Sequence, residues 1–184
     1  MRIAIHQPNF MPWYPFFQKV QKCDKFIIQT HCQFEKDAYQ NRFNINNNWY
    51  TMSVKKGHWS ELINEKKYCN SHKDWNKIKR QLHNYKSILD EFDDCISESL
   101  TETNTLIIKK LCTMLNIETE IVTDYSTELK SNDRLVNLCK YYGATEYISG
   151  IGAKAYLDKT IFQRNDIKVT YQDNLIKKHI LEVL

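Results

Sequence analysis

The sequence predicts an α/β fold with a mostly parallel Rossmann-like sheet, flanked by helices and interrupted by a small antiparallel hairpin. Three observations support this prediction. Short apolar segments, beginning with residues 3–5 and 26–28, alternate with segments of helical periodicity, as in βαβ units. The first apolar segment runs into a polar loop and then directly into a helix-like stretch. A third stretch, 42–54, has the alternation and the central asparagines that are typical of a hairpin.

The opening of the chain is a strand, a polar loop, a helix and a second strand. Residues 3–5 are the predicted first strand, 14–22 the first helix and 26–28 the second strand. All three prolines of the chain lie in this opening, at positions 8, 12 and 15. Proline fixes φ, so we expect the loop after the first strand to be rigid.

A hairpin and an edge strand follow the opening unit. Residues 42–45 pair with 49–54 around Asn46 and Asn47, because asparagine favours turns and tolerates positive φ. The apolar pair at 62–63 is predicted to add a short edge strand.

The second half of the chain is predicted to be richer in helices. Trp75, Ile78, Leu82 and Tyr85 recur at steps of three and four, which predicts a helix over 73–95. Three more helices are predicted: one starts at 101–104 and ends at Asn116, one runs from Ser131 to Gly143, and a short one lies within 156–162. Strands are predicted between and after them, at 120–123, 146–149 and 167–171. No linker or internal repeat is visible, so we expect a single domain over 1–184.

Composition limits the partners and the compartment. The formal net charge of +4 is spread evenly along 184 residues, which does not favour nucleic-acid binding. No run of roughly 18 apolar residues and no signal peptide is present, so we expect a cytoplasmic protein without a membrane span. The six cysteines form no CxxC pair, so no metal site is predicted. The sequence assigns no cofactor.

A candidate site follows the first strand, where His6, Gln7 and Asn9 are the polar residues and the amides of Gln7 and Asn9 are predicted to bind the substrate. Ligands of parallel sheets bind at the carboxyl ends of strands. A histidine there can act as a general base or bind phosphate, and we assign His6 as the catalytic residue. Two alternatives to a functional site remain: His6 is a structural histidine bonded to the backbone, and the prolines only turn the chain from strand to helix.

Two further segments supply candidate substrate-binding residues. Lys36 and Arg42 are predicted to clamp a phosphate or carboxylate, although they are also consistent with two solvated charges on a hairpin. Asn41, beside Arg42, is predicted to bind the substrate through its side-chain amide.

The second of these segments follows the strand at 146–149. Ser149, Gly150 and Gly152 form a small-residue turn whose backbone N–H groups can approach an anion. A tight turn between packed elements is the alternative. If the sheet is parallel, we expect His6 and Gly150 to open into one crevice, with Arg42 reaching it from the hairpin.

These residues together resemble a known family. The stretch HQPNFMPW at 6–13, with Gln33-Phe34-Glu35-Lys36, Asn41-Arg42, Trp49, Trp75, Tyr85, Arg134, Tyr147-Ile148-Ser149-Gly150, Gly152 and Tyr156, is similar to the WbqC-like family. The resemblance implies an enzyme of bacterial surface polysaccharide (O-antigen or capsule) synthesis. It implies acyl or aminoacyl transfer to a nucleotide-linked amino sugar as the reaction, with Trp13 among the substrate-binding residues.

Two other functions stay open at this point. The opening resembles nucleotidyltransferases of the HxGH type more loosely, which implies an ATP-dependent ligase or nucleotidyltransferase. The second histidine of that motif is absent, because Trp13-Tyr14-Pro15-Phe16 occupies its region. The third possibility is a non-catalytic binding protein of the polysaccharide machinery.

Overall fold

A five-stranded parallel sheet is the centre of the computed structural model, which describes residues 1–184. Its strands are β1 (Arg2–His6), β2 (Lys25–Ile28), β5 (Glu120–Thr123), β6 (Glu146–Ser149) and β7 (Lys168–Tyr171). They lie in the order β5-β2-β1-β6-β7, and each neighbouring pair is parallel. The α/β prediction is therefore confirmed, and β1 lies at the middle of the sheet.

Helices cover both faces of this sheet. They are α1 (Tyr14–Gln21), α2 (Ser71–Gln81), α3 (Lys86–Asp90), α4 (Leu100–Met114), α5 (Ser131–Tyr141) and α6 (Lys159–Gln163). Alternate strand residues point to opposite faces. Ala4 and Phe26 belong to the core shared with α1 and α4, whereas Ile3 and Ile27 belong to the core shared with α5 and α6. Burial on both faces explains why the strands are short continuous apolar runs. None of the helices combines the length and the apolar character that crossing a bilayer requires.

The predicted hairpin is present as β3 (Arg42–Ile45) and β4 (Asn48–Thr51). Asn46 and Asn47 have φ of 51° and 61°, the left-handed pair that a two-residue hairpin turn requires. Its second strand begins one residue earlier than predicted and ends at Thr51.

The helix predicted over 73–95 is wrong as one continuous element. Helix α2 ends at Gln81, and a 3-10 turn, α3 and a second 3-10 turn follow. The chain folds back because Asp93 accepts hydrogen bonds from Trp75 Nε1 at 2.7 Å and from Lys79 Nζ at 2.6 Å. Local periodicity does not show this return, since it depends on residues 14 and 18 positions apart.

Other element ends agree with the predicted stop signals. Asn116 follows α4 with φ of 53°, and Gly143 follows α5 with φ of 66°. Helix α4 begins slightly earlier than predicted, because Ser99 caps it by accepting a hydrogen bond from Glu102 N. Ile63 begins a 3-10 turn, and Leu62 forms only an isolated bridge, so the predicted edge strand is wrong.

Candidate functional site

The carboxyl edge of the sheet brings together polar residues from several strand ends. On leaving β1 the chain turns towards β2, whereas β6 joins β1 on its other side, so a topological switch point lies between β1 and β6. Ala4 pairs with Ile148, which places His6 and Gly150, each two residues further on, at the same edge. This is where ligands bind in open parallel sheets.

His6 is a neutral histidine with one ring nitrogen already in use. Its Nδ1 donates to the carbonyl oxygen of Gln7 at 3.0 Å, since a carbonyl only accepts, and Nε2 therefore carries the lone pair. The ring packs edge-on against Phe16. Burial, and then the charge of Lys19, lower the pKa of His6 to about 3. A base of that strength accepts a proton poorly at pH 7, which favours hydrogen-bond acceptance over proton abstraction.

Lys19 is a buried lysine beside His6. It is 3% exposed, and the nearest polar contact of its Nζ is the carbonyl oxygen of Ile5 at 3.5 Å. Burial lowers its pKa to about 7. Lys19 is not among the residues predicted from the sequence, although it follows Phe16 by three residues and therefore lies on the helix face that packs against the sheet.

A second histidine is paired with a buried carboxylate at the ends of β2 and β5. His31 Nδ1 lies 3.0 Å from Asp124 Oδ1, and the Asp124 side chain is fully buried while that of His31 is 24% exposed. Thr30 donates to Asp124 from its backbone N at 2.7 Å and from its hydroxyl at 2.8 Å. Arg134 forms a short ion pair with the other carboxylate oxygen.

These contacts keep Asp124 ionised. Burial alone raises its pKa, but the hydrogen bonds from His31, Thr30 and Arg134 outweigh burial and lower the pKa. An ionised carboxylate fixes the Nδ1–H tautomer of His31 and leaves Nε2 as the free acceptor. Neither His31 nor Asp124 is among the residues predicted from the sequence, although Asp124 directly follows a predicted strand. Arg134 is named from the sequence only as one of the residues that resemble the family.

Side-chain amides connect the two histidine regions. Gln7 Oε1 accepts from Gln40 Nε2 at 2.8 Å, and Gln40 Oε1 accepts from Glu35 N at 3.0 Å. Asn104 Nδ2 donates to the carbonyl oxygens of Pro8 and Gln40, each at 2.7 Å. These bonds tie the loop after β1 to the loop after β2 and make the edge rigid.

The predicted clamp residues are engaged inside their own segment. Arg42 pairs with the Asp37 carboxylate at 3.3 Å, donates to the backbone carbonyls of Asp37 and Ala38, and stacks on Trp49 at 4.2 Å. Asn41 donates to Met52 O at 2.8 Å. The anion expected beside Arg42 is thus Asp37 of the chain itself, because the loop before β3 folds back. Ligand binding by Arg42 and Asn41 stays a prediction.

The remaining predicted residues differ in their accessibility. Lys36 is exposed, Asn9 is half-buried and Trp13 is 47% exposed. Ser149 is buried, and its hydroxyl has no hydrogen-bond partner. Gly150 lies near Gln172, whereas no heavy atom lies within 4 Å of the position that a side chain on Gly152 would take.

Two surface depressions lie away from the His6 and His31 regions and include no residue of either. One lies between α6 and the start of β7, and the other between the end of α4 and β5. No three His, Cys, Asp or Glu side chains converge as a metal-ligand set. The carboxyl edge is therefore distinguished by its polar side chains.

Comparison with known proteins gives a family and one relative. A model described as "WbqC-like protein family" matches residues 7–179. The chain is 31% identical over 191 aligned residues to "Uncharacterized protein Rv1507c" of Mycobacterium tuberculosis (strain ATCC 25618 / H37Rv), with 94% of this chain and 82% of that protein covered. No solved structure gives a significant match.

Proposed function

The chain belongs to the WbqC-like protein family, and on this premise we propose that it is a transferase of bacterial surface polysaccharide synthesis. The proposed reaction moves an acyl or aminoacyl group onto the amino group of a nucleotide-linked sugar. The family resemblance supports the setting, and the carboxyl edge of the sheet supports the chemistry.

The observation that carries the proposal is the His31–Asp124 pair. When an amine attacks an acyl carbonyl, a C–N bond forms, the bond to the donor's leaving group breaks, and the amine must lose a proton. His31 Nε2 is free to take that proton, and ionised Asp124 stabilises the imidazolium that forms. The proton then passes to the leaving group. General bases of this kind contribute roughly 10²–10⁴ in rate.

His6 has a different role in this proposal. Because the ring is neutral and Nδ1 is bonded to Gln7 O, Nε2 can accept a hydrogen bond from a hydroxyl or amine of the sugar. His6 lies on β1, directly beside β2, and thus orients the substrate next to His31. The assignment of His6 as the base stays a prediction from the sequence, and the low pKa of His6 favours His31 for that role in this proposal.

The test is product formation with defined substrates. The purified protein is incubated with UDP- and dTDP-linked amino sugars and with acetyl-coenzyme A or aminoacyl thioesters, and the products are analysed by mass spectrometry. We expect an N-acylated nucleotide sugar with the wild-type protein and almost none with His31→Gln, which keeps the Asp124–Arg134 ion pair. The exposed His58 supplies the matched control His58→Gln. Unmodified sugars with every donor count against the proposal.

An ATP-dependent ligase or nucleotidyltransferase is the second candidate. The specific observation in its favour is the position of His6 at the end of the first strand, beside the switch point of a parallel sheet. Calorimetry with ATP and magnesium distinguishes the two functions. ATP binding with release of AMP or pyrophosphate favours the second candidate, and binding of the nucleotide sugar without ATP favours the first.

A further inference from the structure

Two lysines without carboxylate partners converge on one tyrosine at the other end of the carboxyl edge. Lys154 Nζ lies 5.1 Å and Lys159 Nζ 4.7 Å from the ring centroid of Tyr171, which is the last residue of β7. The carboxylate of the nearby Asp158 caps α6, accepting from Thr160 N at 2.9 Å and from its hydroxyl at 2.7 Å, and forms no ion pair with either lysine. This part of the edge therefore carries two ammonium groups without a direct ion-pair partner and one ionised carboxylate close by in the chain.

A buried hydroxyl beside the two lysines has no partner. Ser149 is the register partner of Tyr171, so both side chains lie on the same face of the sheet. Ser149 is 1% exposed; its Oγ meets the geometry of no hydrogen bond, and the Tyr147 hydroxyl is its neighbour on the same strand face. Three residues further along the chain, the space next to Gly152 is open. An unpartnered donor, open backbone and two ammonium groups together fit an anion with several oxygens.

We propose that Lys154, Lys159 and Ser149 bind the diphosphate of a nucleoside diphosphate. Two lysines act as point charges for two phosphate groups, and the hydroxyl donates to a phosphate oxygen. Tyr156, which is 71% exposed in the same segment, supplies a ring on which the base stacks. That this nucleotide carries the acceptor sugar rests on the proposed function.

The position of this site agrees with the position of the proposed base. The ends of β6 and β2 are separated by two strand spacings, about 10 Å, with the end of β1 between them. The His6 ring itself packs on the α1 face of the sheet, against Phe16. A sugar joined to a diphosphate at β6 and β7 therefore extends across β1 towards His31.

Calorimetry at low salt with pyrophosphate, UDP, dTDP and uridine tests the site. We expect pyrophosphate and both nucleotides to bind, and uridine to bind at least tenfold more weakly. Lys154→Gln/Lys159→Gln should weaken pyrophosphate and UDP at least tenfold. The control Lys73→Gln/Lys77→Gln removes two exposed lysines of α2 and should change affinity less than twofold. Tyr156→Ala should lower the affinity for UDP and leave the affinity for pyrophosphate unchanged.

The outcomes separate this site from the proposed function. The site is overturned if the double variant Lys154→Gln/Lys159→Gln, at an unchanged melting temperature, binds pyrophosphate as tightly as the wild type does. It is also overturned if the lysine control loses as much affinity as the double variant, or if the wild-type protein does not bind pyrophosphate. Pyrophosphate binding through these lysines without any acyl transfer leaves the site standing and removes the proposed function. Acyl transfer by the double variant with an unchanged KM for the nucleotide sugar overturns the site and leaves the proposed function standing.

Discussion

The Nδ1–H group of His31 donates a hydrogen bond to the carboxylate of Asp124, 3.0 Å away, and the Asp124 side chain is completely buried. The two residues follow neighbouring strands but are 93 positions apart in the chain. The pair therefore exists only because β2 and β5 are adjacent, and it turns the free nitrogen of His31 into the best-placed proton acceptor at this edge. The predictions below test the groups around it.

Asp124→Asn should destabilise the fold. The buried guanidinium of Arg134 would lose its anionic partner, which costs about 3 kcal/mol for a buried ion pair. Urea unfolding of the variant measures the loss. Asp24→Asn removes the carboxylate of the exposed pair with Arg2 and serves as the control, with a much smaller expected effect. Equal stability of Asp124→Asn and the wild type would contradict the ion pair.

Lys19→Met should stabilise the fold at pH 7. The pKa of Lys19 is about 7 in the folded protein and near 10.5 when unfolded, so between these values the unfolded chain binds more protons. The stability of the wild type therefore rises with pH through this window, whereas this contribution is absent in the variant. We expect an advantage of about 2–4 kcal/mol at pH 7 that shrinks towards pH 10.5. A constant difference across the window, measured by denaturant unfolding, would show that Lys19 does not titrate this way.

His6 should remain neutral down to about pH 4, because burial and the charge of Lys19 lower its pKa to about 3. Removing the lysine in Lys19→Met should raise the pKa of His6, though not to the ordinary histidine value, since burial remains. Imidazole ¹⁵N chemical shifts followed through a pH titration report both the pKa and the Nδ1–H tautomer. A His6 that takes up a proton near pH 6.5 in the wild type would contradict this prediction.

Arg42→Gln should affect the hairpin more than ligand binding. The guanidinium is engaged by Asp37, Ala38 and Trp49, so we expect a loss of about 1 kcal/mol in unfolding free energy. The affinity for UDP should change less than twofold in calorimetry. A tenfold weaker affinity at unchanged stability would instead return Arg42 to its predicted role as an anion clamp.

The sheet and the hairpin could be predicted because each strand is defined by its own residues. Residues 3–5 and 26–28 are apolar throughout since both faces of the sheet are covered, and Asn46 with Asn47 supplies the left-handed turn. The break after Gln81 could not be predicted, since apolar periodicity continues through it while Asp93 draws the chain back to α2.

The candidate site was predictable only where it follows a single strand. His6 and Gly150 were placed correctly at one edge, because parallel strands of a single sheet fix that relation. The partners of His31 and Arg42 depend on which segments meet in space. Asp124 contacts His31 from the end of β5, and Asp37 contacts Arg42 from the loop before β3. Neither contact corresponds to a sequence motif of fixed spacing.

The most direct test compares the steady-state rate of N-acylation by the wild type, His31→Gln and the control His58→Gln on a nucleotide-linked amino sugar. If His31 is the proton acceptor, kcat should fall by roughly 10²–10⁴ in His31→Gln, with KM within a few-fold. The variant should still melt cooperatively as a folded protein, because Thr30 and Arg134 continue to bond Asp124. His58→Gln should match the wild type. A His31→Gln protein that acylates the sugar at the wild-type kcat would contradict the assignment of the His31–Asp124 pair as the catalytic base.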